Sequence, residues 1–245
     1  MATIISNKLD SANNRLNPSR FNDRYFILKS LRNTISSIVQ TYLSINRKML
    51  IVDFGCGSMP YRPIFEPYVF EYIGVDLPNN LDANSYTSMD SKTELPTDLA
   101  DVVLSTQVLE HVNSPTCYLQ ECYRILKPNG VLILSTHGYW PYHPGPSDLW
   151  RWTSSGLSKI VKEAGFYVVE VKGLMALAPT AIQLFQDAVR SKVPRFTKPL
   201  LVFCIQSLIS ILDRFCSQGE RNRDACVLMV VALKKEVEHL ATEDC

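Results

Sequence analysis

The sequence lacks the features that mark membrane-spanning, secreted and metal-dependent proteins. No apolar run reaches the roughly 18 residues of a membrane-spanning helix, and no basic segment followed by an apolar stretch opens the chain, so no secretory signal is expected. The seven cysteines are odd in number and include no Cys-x-x-Cys pair, which indicates reduced thiols and a cytoplasmic protein. No His-Glu-x-x-His motif or clustered Cys and His spacing is present, so no metal site is predicted.

The charge balance is close to neutral. The formal net charge is +1, so the chain has no overall field that would attract nucleic acid. Its 245 residues are 46% apolar and 20% charged, a composition typical of a soluble globular enzyme. The length suits one domain, or one domain with an appended subdomain.

Two apolar segments that end in acidic residues predict a nucleotide-type site. Residues 49–52 are typical of a strand buried on both faces. Asp53, Gly55 and Gly57 follow on the turn, where glycine lets the backbone approach a ligand closely. About 20 residues later a second apolar segment ends in Asp76, whose carboxylate can accept hydrogen bonds from both hydroxyls of a ribose. The pair predicts an adenosine-containing cofactor across the carboxyl ends of two neighbouring parallel strands.

The glycine pattern narrows the choice of cofactor. A dinucleotide fingerprint G-x-G-x-x-G requires a third glycine, but Pro60 stands at that position. The sequence Asp-x-Gly-Cys-Gly also lacks the Lys and Ser/Thr that hold phosphate in a P-loop. It resembles motif I of the class I S-adenosylmethionine-dependent methyltransferases.

Further segments carry the same resemblance over residues 48–172, in the family's order. Asp90 precedes a Leu-Pro pair and is similar to the family's acidic loop near the adenine. Residues 101–112 resemble motif IV of the type 11 subgroup, and residues 123–135 resemble the helix, turn and fifth strand that follow it. The resemblance implies S-adenosylmethionine as cofactor, with Cys56 filling space beside its methionine portion. The residues expected to bind the cofactor are Asp53, Gly55, Cys56, Gly57, Asp76, Leu77, Met89, Asp90 and Gln107.

The predicted fold is α/β: a Rossmann-like class I methyltransferase fold with a mostly parallel seven-stranded sheet and helices on both faces. In the family the last two strands pair antiparallel. The third strand is the least distinct, because residues 77–84 are rich in helix and strand breakers. The predicted strands are 49–53, 71–75, 85–88, 101–106, 130–135, 166–172 and 226–234, and the predicted core helices are 115–126 and 153–164.

Two additions to the core are expected. A helix in the N-terminal region is expected either to pack against the sheet or to act as a lid over the cofactor site. We favour packing. An insertion before the last strand contains an apolar run, residues 199–212, that is too short to span a bilayer of about 30 Å. For this run we favour burial within the subunit or in a homodimer over membrane contact. An N-terminal arm and helix are predicted at residues 1–47. The methyltransferase core is predicted in two pieces, 48–173 and 225–236, with the helical insertion between them at 174–224. A polar tail follows at 237–245.

Residues that could take a proton from an acceptor are concentrated after the fifth strand, at the sheet edge where active sites of open α/β sheets lie. Residues 137–153 hold two of the four histidines and all three tryptophans. His143 is the first choice of general base and His137 the second. Asp148 is expected to orient a histidine or to bind substrate hydroxyls. The predicted substrate-binding residues are Tyr139, Trp140, Tyr142 and Arg151, of which Arg151 could equally be a structural partner of Asp148.

The acceptor class rests on resemblance alone. The stretch His-Gly-Tyr-Trp-Pro-Tyr-His-Pro, followed by Asp-Leu-Trp-Arg-Trp-Thr, resembles a subgroup found in bacterial polysaccharide biosynthesis. That implies O-methylation of a sugar or glycan-related hydroxyl. Two alternatives stay open: N- or C-methylation of a small metabolite, and a catalytically silent cofactor-binding module in a glycan-assembly complex. His111, in the motif IV turn, is expected to be structural.

Overall fold

The computed structural model of this chain describes residues 13–145 and 147–235. Residues 1–12 of the predicted arm, Pro146 and the predicted polar tail at 237–245 lie outside the described residues. Within the described ranges, no helix is long and apolar enough to cross a membrane.

Seven strands form one sheet. In chain order they are β1 Met49–Phe54, β2 Val69–Asp76, β3 Ser85–Tyr86, β4 Ala100–Thr106, β5 Leu126–His137, β6 Tyr167–Leu174 and β7 Val227–Leu233. They lie side by side in the order β3-β2-β1-β4-β5-β7-β6. The pairs are parallel except for those of β7, which is antiparallel to both of its neighbours. The predicted Rossmann-like fold, with its antiparallel last pair, is confirmed.

Helices cover both faces of the sheet. They are α1 Tyr25–Tyr42, α2 Arg62–Phe65, α3 Pro115–Ile125, α4 Ser154–Glu163, α5 Leu177–Arg190, α6 Lys198–Leu212 and α7 Gln218–Arg223. Side-chain caps fix where two core helices begin: the Ser114 hydroxyl accepts from the amide of Cys117, and the Thr153 hydroxyl accepts from that of Gly156. The buried side chains of α3 and α4 pack on one face of the sheet and those of α1 and α6 on the other.

The N-terminal helix is a packed element of the core. Ile27, Leu31, Ile35 and Ile38 recur at helical spacing and are buried in the same apolar cluster as Ile209 of α6. This burial supports the packing interpretation of α1 over the lid. The segment that precedes the helix nevertheless reaches the candidate site, because Arg15 lines its cavity.

A buried cluster of glutamine amides ties the start of α1 to the insertion. Gln206 of α6 donates to the side-chain carbonyls of Gln183 and Gln186 and to the backbone carbonyl of Asp23, at 2.9 to 3.1 Å. Its own carbonyl accepts from the amide of Phe26 at 3.0 Å. Buried amides are stable only when they are hydrogen-bonded. This cluster therefore fixes which face of α6 points inwards.

The apolar run 199–212 is buried within the subunit on one face only, and its burial in a homodimer stays a prediction. Val202, Ile205, Gln206 and Ile209 of α6 are buried, whereas Leu200, Leu208 and Ile211 are exposed. The run is apolar on both faces, so its periodicity does not identify the packed face. The hydrogen bonds of Gln206 decide it.

Candidate active site

The turn after β1 is shaped to leave room at the edge of the sheet. Gly55 has a φ of +81°, and a Cβ atom there would overlap the side chain of Val108. Gly57 has a φ of +53°, but a Cβ atom there would meet no protein atom within 4 Å. Both conformations favour glycine. The first glycine is needed for packing, whereas the second leaves open space in front of the turn.

The carboxylate of Asp76 closes the other side of this turn. Its Oδ2 accepts from the amide of Gly57 and from the Asn80 side chain, each at 2.8 Å, and its Oδ1 accepts from the amide of Leu77 at 2.8 Å. A carboxylate offers about four acceptor positions, so these three bonds leave one. The position of Asp76 suits a ribose, but the described contacts leave room for one hydroxyl, where the sequence predicted two.

A cavity of about 860 Å³ opens at these carboxyl ends, a volume within the usual range for small-molecule sites. Its walls come from the turns after β1, β2 and β4, where the strand order reverses between β1 and β4. Eight predicted site residues line it: Gly55, Cys56, Gly57, Asp76, Leu77, Met89, Gln107 and His143.

Two predicted cofactor residues are not among those that line the cavity. Asp90 is exposed, and the wall at this loop consists of Thr87, Ser88, Met89 and Ser91. Asp53 is buried behind the turn, where its Oδ2 accepts from the Tyr72 hydroxyl at 2.7 Å and its Oδ1 has no partner among the described residues. Burial raises the pKa of Asp53 to about 7. Direct cofactor contact is therefore not supported for either carboxylate.

The loop after β5 is held by one ion pair. Asp148 accepts two hydrogen bonds from Arg151, each at 2.6 Å, and one from the backbone amide of His143 at 2.8 Å. The Arg151 guanidinium holds the pKa of the Asp148 carboxyl well below its usual range. Arg151 also donates to the carbonyls of Trp140 and Pro141. Arg151 is therefore the structural partner of Asp148, and Asp148 positions the backbone of His143.

The four predicted substrate-binding residues do not line the cavity. The Tyr139 hydroxyl donates to Asp224 at 3.3 Å, and Tyr142 is 75% exposed. Trp140 stacks on His137, with ring centroids 4.3 Å apart and planes within 4°, and Arg151 is engaged by Asp148. Their side chains have other partners or face solvent, so direct contact with a ligand in the cavity is not supported for them.

Three histidines meet beside the cavity. The ring of His143 lies 5.0 Å from that of His111 and 5.0 Å from that of His137. His111 and His143 line the cavity, whereas His137 is buried behind them and burial lowers its pKa to about 2. The ordering of the two predicted bases is consistent with this placement, since His143 reaches the cavity wall and His137 does not.

His111 is better placed than the sequence suggested. Its Nδ1 contacts the carbonyl oxygen of Ser147. A carbonyl can only accept, so Nδ1 is the donor of this contact. The Ser147 hydroxyl in turn donates to the backbone carbonyl of His111 at 2.8 Å. His111 is thus an oriented imidazole that lines the cavity.

Glu110 is a buried carboxyl behind the histidines. Its Oε2 accepts from the Thr136 hydroxyl at 2.8 Å, and its Oε1 lies 3.1 Å from Nδ1 of His137. Burial raises the pKa of Glu110 to about 7 while it lowers that of His137. Both shifts favour neutral side chains, so Glu110 and His137 lie side by side uncharged below about pH 7, and neither Oε1 of Glu110 nor Nδ1 of His137 has a hydrogen-bond partner among the described residues. Sequence reasoning did not single out Glu110 or Arg15, whose positions depend on contacts distant in sequence.

Comparison with known proteins agrees with this geometry. Residues 27–171 match the methyltransferase domain family, and the chain belongs to this family. A probable S-adenosylmethionine-dependent methyltransferase of Mycolicibacterium smegmatis is 26% identical over 139 residues, which cover 51% of this chain and 54% of that protein. A ubiquinone biosynthesis O-methyltransferase of Cereibacter sphaeroides is 27% identical over 155 residues, covering 51% and 63%. The chain thus spans between about half and two thirds of the length of these curated relatives.

A solved structure supports the fold. The phosphoethanolamine N-methyltransferase 2 of Haemonchus contortus, determined in complex with S-adenosylmethionine, has a TM-score of 0.56 to this chain. It is 15% identical, and the match covers 92% of this chain and 60% of that one. At that identity the likeness shows the fold alone.

S-adenosylmethionine is the cofactor of this class, and the residues of the cavity fit it. Gly57 leaves open space, Asp76 keeps an acceptor position for a hydroxyl, and Leu77 and Met89 offer apolar surface for a base. Arg15 is a cation on the same wall, suited to a carboxylate. Among the described residues no cluster of three or more His, Cys, Asp or Glu side chains is arranged to hold a metal ion.

Proposed function

We propose that the protein is an S-adenosylmethionine-dependent methyltransferase that methylates a hydroxyl of a sugar or glycan-related acceptor. The observation that carries the proposal is that two imidazoles, His111 and His143, line the same cavity as Gly57 and Asp76. This arrangement sets proton acceptors beside the residues that fit the cofactor. An oxygen nucleophile needs such a base, because its proton must leave as the new bond forms.

The cofactor supplies an electrophilic methyl group on a positively charged sulfur. The chain's own residues then orient the acceptor and receive its proton. We assign the proton acceptor to His143, whose pKa is lowered chiefly by burial, so that the imidazole is neutral near pH 7. The Asp148 carboxylate holds the backbone of His143 in place. His111 is the second candidate, because the contact of its Nδ1 with the Ser147 carbonyl orients its ring at the cavity.

The acceptor class is argued from polarity and from the relatives. Hydrogen-bonding side chains of the cavity wall, including Asn79, Ser88 and Asn113, suit an acceptor with several hydroxyls. The Cereibacter relative is named an O-methyltransferase, which supports an oxygen acceptor. The resemblance of residues 137–153 to enzymes of polysaccharide biosynthesis supports a sugar.

The test has two stages. Calorimetry with S-adenosylmethionine and with its demethylated product first establishes binding. A labelled-methyl screen then compares nucleotide sugars, phenols and amines as acceptors. Transfer to a sugar hydroxyl supports the proposal, and transfer to an amine or carbon would replace it with N- or C-methylation. Tight cofactor binding without transfer to any class would indicate the silent module.

Substitution of the two wall histidines tests the mechanism. A general base contributes roughly 10²- to 10⁴-fold to turnover, so His143→Ala should lose activity on that scale while cofactor affinity stays within about twofold of the wild type. His111→Ala is the matched comparison on the same wall. A loss confined to His111→Ala would move the role to His111, and normal turnover in the double variant would exclude proton transfer through this wall.

A further inference from the structure

The outward face of α6 is an apolar stripe. Leu200, Cys204, Leu208, Ile211 and Phe215 follow one another at intervals of three or four residues, which places them on one side of the helix and its extension. All five are exposed, Leu200 to 66% and Phe215 to 82%. A helix on the surface of a globular protein normally presents polar residues to solvent. We therefore expect another surface to cover this stripe.

The chain around this stripe is basic. Between Asp187 and Asp213 the sequence contains no acidic residue, whereas Arg190, Lys192, Arg195 and Lys198 are basic. Three nearby acids are paired: Asp187 with Arg24, Asp23 with Arg190, and Asp213 with Arg221. Glu220, beyond the stripe, caps the start of α7 through Ser217. Lys192, Arg195 and Lys198 form no ion pair with any described residue. Phe196, within the same segment, is 84% exposed.

A groove of about 360 Å³ between α1 and α6 extends the basic surface. Arg20, Lys29 and Arg214 line it and are exposed, and none pairs with a carboxylate in the described part of the chain. Ile211 of the apolar stripe lies on its wall, and Phe21 beside it packs on Phe203 with ring centroids 5.8 Å apart. Ile211 thus belongs both to the apolar stripe and to the basic groove.

We propose that this surface, the α6 stripe with its flanking basic residues and the basic groove, docks on an anionic phospholipid bilayer. The apolar side chains would enter the interface while the Lys and Arg side chains meet lipid phosphates. At 15 residues α6 is about 22 Å long, short of the roughly 30 Å of the hydrocarbon core. The helix therefore lies along the membrane and does not cross it. The proposal does not depend on the methyltransferase activity.

The charge of this surface favours a bilayer over a second copy of the chain as its binding partner. A two-fold interface brings the same patch against itself, so Lys192, Arg195 and Lys198 would lie on both sides of it with no unpaired acidic residue between Asp187 and Asp213 to oppose them. Like charges facing one another oppose association, whereas an anionic surface attracts every one of them. The complementary occupant is the membrane surface.

Flotation of the full-length protein with lipid vesicles tests the proposal. The wild type should float with mixed phosphatidylcholine and phosphatidylglycerol vesicles, weakly with phosphatidylcholine alone, and less at high salt. Phe215→Glu and the double variant Arg195→Glu/Lys198→Glu should each reduce partitioning at least about tenfold. The matched controls are Phe70→Glu, at an apolar position 63% exposed at the other end of the sheet, and Lys162→Glu, on the exposed side of α4. Both controls should float like the wild type.

Thermal melts of each variant separate loss of binding from loss of fold, and the exposed positions are chosen so that no packing is removed. Absence of flotation of the folded wild type with anionic vesicles would overturn the proposal, as would equal loss in the control variants. Analytical ultracentrifugation tests whether a second copy of the chain covers the stripe instead. A wild-type dimer that Phe215→Glu dissociates, with no vesicle binding, would show that a second copy covers the stripe and would also overturn the proposal.

Discussion

Replacement of Glu110 by glutamine tests the electrostatic account of the site most directly. The carboxyl is fully buried between Thr136 and His137, and burial raises its pKa from 4.5 to about 7. Glutamine has nearly the same shape as the neutral acid but cannot ionise. Its carbonyl can accept from the Thr136 hydroxyl, so the substitution removes the titration and keeps that hydrogen bond.

The magnitude follows from linkage between protonation and folding. Between pH 4.5 and about 7 the folded protein holds the Glu110 proton more tightly than the unfolded chain does, so stability from this group falls as pH rises through that window. One unit of pKa corresponds to about 1.36 kcal/mol, so above pH 7 the ionised carboxylate costs the folded wild type roughly 3 kcal/mol. We expect Glu110→Gln to gain about 2 to 3 kcal/mol relative to the wild type between about pH 5 and pH 8.

The assay is denaturant unfolding of both proteins at a series of pH values. Asp53 has a raised pKa and His137 a lowered one, but both residues are present in each protein, so the difference between the two curves reports on Glu110. Glu163→Gln, at an exposed position on α4, is the matched control for the loss of one carboxylate from the chain. Parallel curves for wild type and Glu110→Gln across the range would refute the raised pKa of Glu110.

Two further predictions concern the cofactor cradle. Asp76→Ala should lower affinity for S-adenosylmethionine at least about tenfold, since a hydrogen bond to a charged group is worth about 1.5–3 kcal/mol; Asp90→Ala is the matched control, and calorimetry should find its affinity unchanged because Asp90 lies outside the cavity wall. Gly55→Ala should destabilise the fold by about 1–3 kcal/mol, because its Cβ atom would overlap Val108. Gly57→Ala should lower the melting temperature less than Gly55→Ala does while weakening cofactor binding more, and the reverse order in the two assays would contradict the open-space interpretation of Gly57.

Local sequence pattern was sufficient for most of the sheet. Every residue of β1 is buried, and its first four residues, 49–52, appear in the sequence as an apolar run. The third strand spans only Ser85–Tyr86, where 85–88 was predicted. The breaker-rich segment before it forms no crossover helix that would support a longer strand. The packed face of α6 was beyond prediction, since Gln206 points inwards on account of partners about 20 and 180 residues away.

The residues of the candidate site also differ in whether the local sequence was sufficient to predict their positions. Gly55, Gly57, Asp76 and Gln107 line the cavity as their motifs predicted, because each follows directly from a strand end. The orientation of His111 could not be predicted, because the Ser147 carbonyl that fixes it lies 36 residues away. The loop after β5 contains many functional residue types, but most of them hold the loop together and His143 is the one imidazole of the loop that reaches the wall.

The position of β7 has a consequence for the order in which the chain can fold during synthesis. β7 lies between β5 and β6 although it is the last strand in sequence, and the ladder of β6 in the described structure is formed with β7. Roughly 50 residues separate the end of β6 from the start of β7. Until those residues have left the ribosome, β6 has no neighbour in the sheet and β5 has an unpaired edge. An unpaired strand edge is a template for pairing with another nascent chain. Exchange of β7 between two chains would satisfy both strands equally well, so slow elongation through the insertion should favour domain-swapped dimers.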